Sequence, residues 1–127
     1  IQMRPAPTKP VPLYLGGHTL PGLRRAAKHG DGWSSAMLPS KKIIETVNKL
    51  NELRKEYGTD GKPFEIQAVV TDAFNADAFK RLEAAGVTDI ICVPWLFYGV
   101  PMAGGDVQKK IEGLEKFYEK VVVPTNT

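Results

Sequence analysis

Residues 12–33 read PLYLGGHTLPGLRRAAKHGDGW. The apolar run that ends before Gly16 is too short for a helix and is rich in residues that favour strands. The pair Gly16-Gly17 allows backbone conformations closed to other residues and lets a ligand approach the chain closely. Thr19 stands where it can cap a helix, and a Gly-Asp-Gly turn then leads into a second strand at Trp33. The stretch predicts a strand, a glycine turn with a small-molecule site, a helix and another strand.

The same alternation continues to the end of the chain. Strands are predicted near residues 11–15, 33–37, 64–70 and 87–93, each followed by a helix with apolar residues at helical spacing. Four such units imply parallel strands joined by right-handed crossovers. A complete (β/α)8 TIM barrel needs about 250 residues, so this chain has the length of half a barrel. The predicted fold class is therefore α/β, with four parallel β-α units forming half a barrel over 11–123, an extended lead-in over 1–10 and a tail over 124–127. A free-standing open sheet is the alternative.

Several local features follow from residue types. Ser40, Asn75 and Asp106 are expected to cap the second, third and fourth helices. The fourth strand is the most apolar and is expected to be buried on both faces. The inward side of the last helix is expected to carry five apolar residues, namely Val107, Ile111, Leu114, Tyr118 and Val121.

The composition excludes several classes of protein. Hydrophobic residues make up 43% and charged residues 24% of the 127, as in ordinary globular proteins, and the net charge of +3 is scattered rather than gathered in one nucleic-acid-binding block. One cysteine, Cys92, permits no intrachain disulfide and suits a reducing, cytoplasmic setting. Two histidines and one cysteine, widely separated, do not form a metal-ligand set. The first residue is Ile1, which suggests a piece of a longer chain.

Three segments together resemble a known family. GGH…LRRAA..GDGW, FEIQAVV and the stretch from RLEAAGV to the PWLFYG loop, in this order and spacing, are similar to the C-terminal half of the luciferase-like monooxygenases. These are flavin- or deazaflavin-dependent (β/α)8 barrels. The PWLFYG loop is closer to the deazaflavin-using branch, although the choice between FMN and coenzyme F-420 stays open.

The resemblance implies an oxidoreductase and assigns roles to particular residues. Gly16, Gly17 and His18 would contact the cofactor, whose polar tail suits a glycine turn that leads into a helix. The resemblance also places substrate-binding residues in two loops: Ser34, Ser35 and Met37 after the second strand, and Trp95 and Tyr98 after the fourth. No residue matches the acid or base that members supply from the other half, so the catalytic residues are unknown.

Each of these residues also has a plainer interpretation. His18 is as consistent with a loop histidine bonding the backbone, and Trp95 with packing beneath the last helix rather than an aromatic lid over a pocket. Asp72 suits a helix-entry cap better than a site acid. Cys92 suits an inert buried thiol.

A half-barrel has consequences for partners. It exposes two unpaired edge strands and an inner face that the sequence suggests is apolar. The chain is therefore expected either to form a symmetric homodimer or to pair with a missing N-terminal half. The alternative function is a stand-alone, self-associating half-barrel that binds ligands or has a structural role without catalysis.

Overall fold

Strands and helices alternate along the computed structural model, which describes residues 4–127. The strands are β1 (Tyr14–Leu15), β2 (Gly32–Leu38), β3 (Glu65–Val70) and β4 (Asp89–Ile91). The helices are α1 (Leu20–His29), α2 (Ser40–Glu56), α3 (Ala76–Ala84) and α4 (Val107–Phe117). A 3-10 turn, Pro94–Tyr98, precedes α4, and a π-helical turn, Tyr118–Val122, continues it into Val123–Thr125. Within residues 4–127, no helix has both the length and the apolar character needed to cross a bilayer.

The four strands form one parallel sheet in the order β1-β2-β3-β4. The ladder between β2 and β3 is regular up to Ser34 and resumes at Met37, so a bulge lies between these two residues. The predicted α/β class with alternating β-α units is confirmed, and the arrangement is consistent with half of a TIM barrel. The first strand is shorter than predicted, and only its last two residues pair with β2.

One face of the sheet packs against the helices and forms the core. Trp33, Ile66 and Ala68 lie on this face and are almost fully buried against apolar side chains of α2 and α3 such as Leu50 and Leu82. Alternate residues of a strand point to opposite faces, so the residues between them lie on the other side. The predicted stripe of α1, with Leu23, Ala26 and Ala27, is also buried here.

The opposite face, here called the open face, has no helix against it. Its carboxyl-terminal row contains Met37, Val69 and Ile91, which are in register. Its other rows are polar and carry five side chains, those of Tyr14, Ser34, Glu65, Gln67 and Asp89. The expectation of an apolar inner face is therefore wrong for all but the last row.

The fourth strand also differs from the prediction that both of its faces are buried. Asp89 is exposed and Ile91 is 48% exposed. The reason is its position: β4 is an edge strand whose open-face side chains have no covering layer. A groove of about 610 Å³ runs along its helix side, where it is lined by Ile90 and by Cys92, the half-buried free cysteine. Burial raises the pKa of that thiol, which suits the inert role expected for it.

The last helix turns a different side inward from the one predicted. Val107, Ile111, Leu114 and Tyr118 are 42–69% exposed, and of the expected stripe only Val121 is buried. Gly113 and Phe117 face inward instead. The helix lies against the 3-10 turn at Gly113, where an added Cβ would come within 2.9 Å of the Cα of Trp95. Close backbone approach at this glycine selects the inward side, and helical periodicity alone does not reveal it.

Two of the three predicted helix caps are confirmed. The Asn75 side chain accepts a hydrogen bond from the Ala78 amide at 2.9 Å, and that of Asp106 accepts one from the Gln108 amide at 2.8 Å. Ser40, the predicted cap of α2, is instead its first residue. Its amide and hydroxyl both donate to Oδ1 of Asp72, at 2.7 and 2.6 Å. The cap of α2 thus comes from the loop after β3.

Replacing Asp72 with alanine should lower the free energy of unfolding by about 0.5–2 kcal/mol at neutral pH, because α2 loses its cap. The two hydrogen bonds from Ser40 lower the pKa of Asp72. A lowered pKa means that the stabilisation is complete above the ordinary value of about 4 and is lost as pH falls through the folded-state pKa. Urea denaturation at a series of pH values from neutral to strongly acidic measures both effects.

Asp72→Asn is the matched control, because it keeps the acceptor oxygen and removes the charge. It should retain part of the stability at neutral pH and show a weaker loss on acidification than the wild type. If the alanine variant and the wild type had the same stability at neutral pH, the capping role of Asp72 would be disproved.

Candidate functional site

The carboxyl ends of the four parallel strands meet at one edge of the sheet, here called the rim. Gly16 and Gly17 follow β1 directly, and Trp95 is the second residue of the 3-10 turn that follows β4. The glycine pair and Trp95 therefore lie at the same rim, as the sequence predicts. This is the end of a parallel sheet at which β/α enzymes bind ligands.

The turn formed by Gly16, Gly17 and His18 is tied to β2 by two hydrogen bonds. The indole Nε1–H of Trp33 donates to the carbonyl of Gly17 at 2.9 Å, and the amide of Ala36 donates to Nε2 of His18 at 3.1 Å. The imidazole also packs edge-on against the Trp33 indole, with ring centroids 5.5 Å apart. Gly17 has a φ of +111°, which side chains other than glycine rarely adopt. The turn is thus held in one conformation by its neighbour strand.

These contacts define the tautomer of His18. A backbone amide can only donate, so Nε2 must carry a lone pair and the ring proton must lie on Nδ1. A second proton on the ring would remove the hydrogen bond from Ala36. His18 is therefore a neutral imidazole in this arrangement, with Nδ1–H available as a donor.

Helix α1 begins directly after this turn and presents an uncompensated positive end. Thr19 occupies the N-cap position, but its side chain makes no capping hydrogen bond, and the first turn contains no acidic residue. The helix starts close to the glycine turn because Gly22 lacks a side chain, and a Cβ there would come within 3.3 Å of the Cα of Gly17. Unpaired amides and the helix dipole at such a terminus favour an anionic group.

The three residues expected to bind substrate after the second strand lie in different environments. Ser34 is half-buried on the open face, and Met37 is 72% exposed at the rim end of that face. Ser35 is buried, and its hydroxyl oxygen accepts a hydrogen bond from the amide of Val69 at 2.9 Å. This contact bridges the bulge between β2 and β3, so Ser35 has a role within the sheet.

Trp95 and Tyr98, expected to bind substrate from the loop after the fourth strand, pack beneath α4. The ammonium group of Lys110 lies 5.4 Å from the centroid of the Trp95 ring, and Gly113 lies against the Trp95 backbone. Tyr98 is half-buried and packs against the core. Phe97 contacts Phe117, the last residue of α4, with ring centroids 5.2 Å apart. Of the two interpretations of this loop, the structure shows packing under the last helix.

Other apolar side chains are exposed at the rim. Phe74 follows β3 and is 58% exposed, and Leu96 and Met102 follow β4 with exposures of 42% and 60%. Together with Met37 and Ile91 they give the rim an apolar character. No sequence signal marks Phe74 or Leu96 for this position, because each belongs to a loop whose apolar residues suit packing equally well. Within residues 4–127, no cluster of three or more His, Cys, Asp or Glu side chains could hold a metal ion.

Comparison with known proteins agrees with this architecture. The family model described as luciferase-like monooxygenase matches residues 1–118. The chain is also 39% identical over 125 residues to the uncharacterized proteins Rv0940c of Mycobacterium tuberculosis (strain H37Rv) and Mb0965c of Mycobacterium bovis. The match covers 95% of this chain and 41% of each relative, so the chain spans about two fifths of their length. The chain belongs to the luciferase-like monooxygenase family.

Proposed function

We propose that this chain supplies the C-terminal half of the barrel of a flavin- or deazaflavin-dependent oxidoreductase, including part of its cofactor site. The observation that carries the proposal is the turn of Gly16, Gly17 and His18, held against β2 at the start of the uncapped helix α1. Membership of the family supports the same function, because its members are commonly flavin-dependent.

The residues present fit the polar tail of such a cofactor. FMN and coenzyme F-420 both carry a phosphate group, and the positive end of α1 beside a side-chain-free turn favours an anion. The Nδ1–H of His18 adds a hydrogen-bond donor on a ring already held by Ala36 and Trp33. The fit does not distinguish FMN from F-420, because both share this chemistry.

The apolar rim suits the remaining part of a redox site. When bound, a reduced flavin or deazaflavin supplies a hydride or electrons. Met37, Ile91 and Leu96 give that end of the sheet exposed apolar surface that a ring or an apolar substrate would cover. None of the described rim residues discussed above is assigned as an acid or base for the reaction. We therefore propose that the catalytic residues lie in the other half of the barrel, and that the chain is inactive alone.

The test is a titration of the 15N-labelled chain with FMN, with riboflavin, which lacks the phosphate, and with coenzyme F-420. We expect FMN and F-420 at millimolar concentration to shift the amide resonances of Gly16, Gly17, His18 and Leu20, and riboflavin to shift them much less. Gly17→Ala should weaken binding several-fold, because the φ of +111° is strained for alanine.

Gly58→Ala is the matched control. Gly58 also has a positive φ, +66°, but lies after α2 and away from the rim, so its replacement should leave cofactor binding unchanged. Absence of any shift at the glycine turn with both FMN and F-420 would contradict the proposed function.

A further inference from the structure

The charged side chains that the strands place on the open face are all acidic. Glu65 and Asp89 lie on β3 and β4 on either side of Gln67, and none of the residues of the four strands is a lysine, arginine or histidine. Lys62 lies near the amino end of the sheet, where it lines a small cleft with Asp31 and Glu65, but it belongs to the turn before β3. The strands thus bring negative charge to this face and no cation.

The tyrosine on this face reports the same imbalance. The hydroxyl of Tyr14 donates a hydrogen bond to Glu65. That bond, together with the negative charges of Glu65, Asp89 and Asp31, raises the pKa of Tyr14. The carboxylates of three different segments therefore act on one point of the open face, and a cation placed there would be attracted by all of them.

The strands at the two sides of the face indicate what kind of molecule covers it. Strands β1 and β4 each pair with one neighbour within the described sheet, so each has an outer edge with unpaired backbone donors and acceptors. Such edges bind an additional strand through main-chain hydrogen bonds. An added strand at either edge would direct alternate side chains over the open face.

We propose that the open face docks a strand-forming polypeptide segment that presents an arginine or lysine side chain to Glu65 and Asp89. The segment pairs with the outer edge of β1 or β4, and its cation neutralises the two carboxylates. This inference goes beyond the proposed redox function and does not depend on cofactor binding.

A second copy of this chain is a less favourable occupant. Two facing copies would bring together Glu65 and Asp89 of both, which places four carboxylates in one interior without a cation from the strands of either copy. Burial of charges without counter-charges is strongly unfavourable. The charge of the face therefore selects a partner of opposite charge over a symmetric pair.

The test uses two extended peptides of about eight residues, a common strand length. One alternates valine with arginine, and the other alternates valine with citrulline, which is uncharged and nearly isosteric with arginine. Amide shifts of the 15N-labelled chain give the affinities. We expect shifts in β1 or β4 and at Tyr14, and about tenfold tighter binding of the arginine peptide, as for one charge-assisted contact.

Matched variants separate this site from general attraction to acidic residues. Glu65→Gln with Asp89→Asn should abolish the preference for the arginine peptide. Glu56→Gln with Glu112→Gln removes the same charge from exposed positions on α2 and α4 and should preserve it. Equal affinity of the two peptides for the wild type would overturn the proposal, as would loss of the preference in the control pair. Sedimentation showing a stable dimer of the chain alone, with β1 and β4 amides protected from exchange, would also overturn it.

Discussion

Replacing Trp33 with alanine should lower the free energy of unfolding by about 3–5 kcal/mol, the range for a large aromatic residue removed from a packed core. Trp33 is 0% exposed and is the largest of the fully buried side chains among the described residues. It lies at the start of β2, between the core face of the sheet and the helices, so its loss leaves a cavity that the neighbouring strands cannot close. Chemical denaturation followed by circular dichroism measures the change.

Trp33→Phe separates packing from hydrogen bonding. Phenylalanine retains most of the apolar volume but cannot donate to the carbonyl of Gly17, which the indole reaches at 2.9 Å. We expect a smaller loss of about 1–2 kcal/mol and faster hydrogen exchange at Gly17 and His18 than in the wild type. If Trp33→Phe left exchange at these amides unchanged, the indole would not be what holds the glycine turn.

Replacing Gly32 with alanine should lower the free energy of unfolding by about 1–3 kcal/mol, as expected for overpacking of a closely packed site. A Cβ at this position would lie 2.5 Å from Cδ1 of Tyr14 and 2.7 Å from the carbonyl oxygen of Glu65. The Tyr14 ring can rotate away, but the carbonyl belongs to the backbone of β3. The strands on either side of β2 must therefore move apart. Thermal and urea denaturation measure the loss.

Gly61→Ala is the control for this substitution. An added Cβ at Gly61 meets no atom within 4 Å, so its replacement should change stability by no more than about 0.5 kcal/mol. Equal stabilities of Gly32→Ala and Gly61→Ala would show that β2 tolerates a side chain at its first residue.

The order of elements is predictable because its signals are local. Strand and helix patterns, the glycine turn and the caps at Asn75 and Asp106 each depend on residues a few positions apart. The inward side of α4 is not predictable in this way. Its periodicity marks an apolar stripe, but the packing surface is chosen by Gly113, whose partner Trp95 lies on another element.

The site is predictable to the same extent. Placing Gly16 and Gly17 at the carboxyl end of a strand requires only the local pattern, and the structure puts them there. The cap of α2 by Asp72 and the bridge from Ser35 to Val69 join segments more than thirty residues apart in sequence. Only the register of the folded sheet reveals such contacts.

The bulge in β2 separates two demands on neighbouring residues. Ser35 and the His18 ring satisfy backbone amides around the interruption, whereas Met37 is 72% exposed beside them. Substitutions at Met37 therefore alter the surface offered to a substrate at little expense in stability, and relatives can diversify their chemistry at this residue while the strand pairing stays the same.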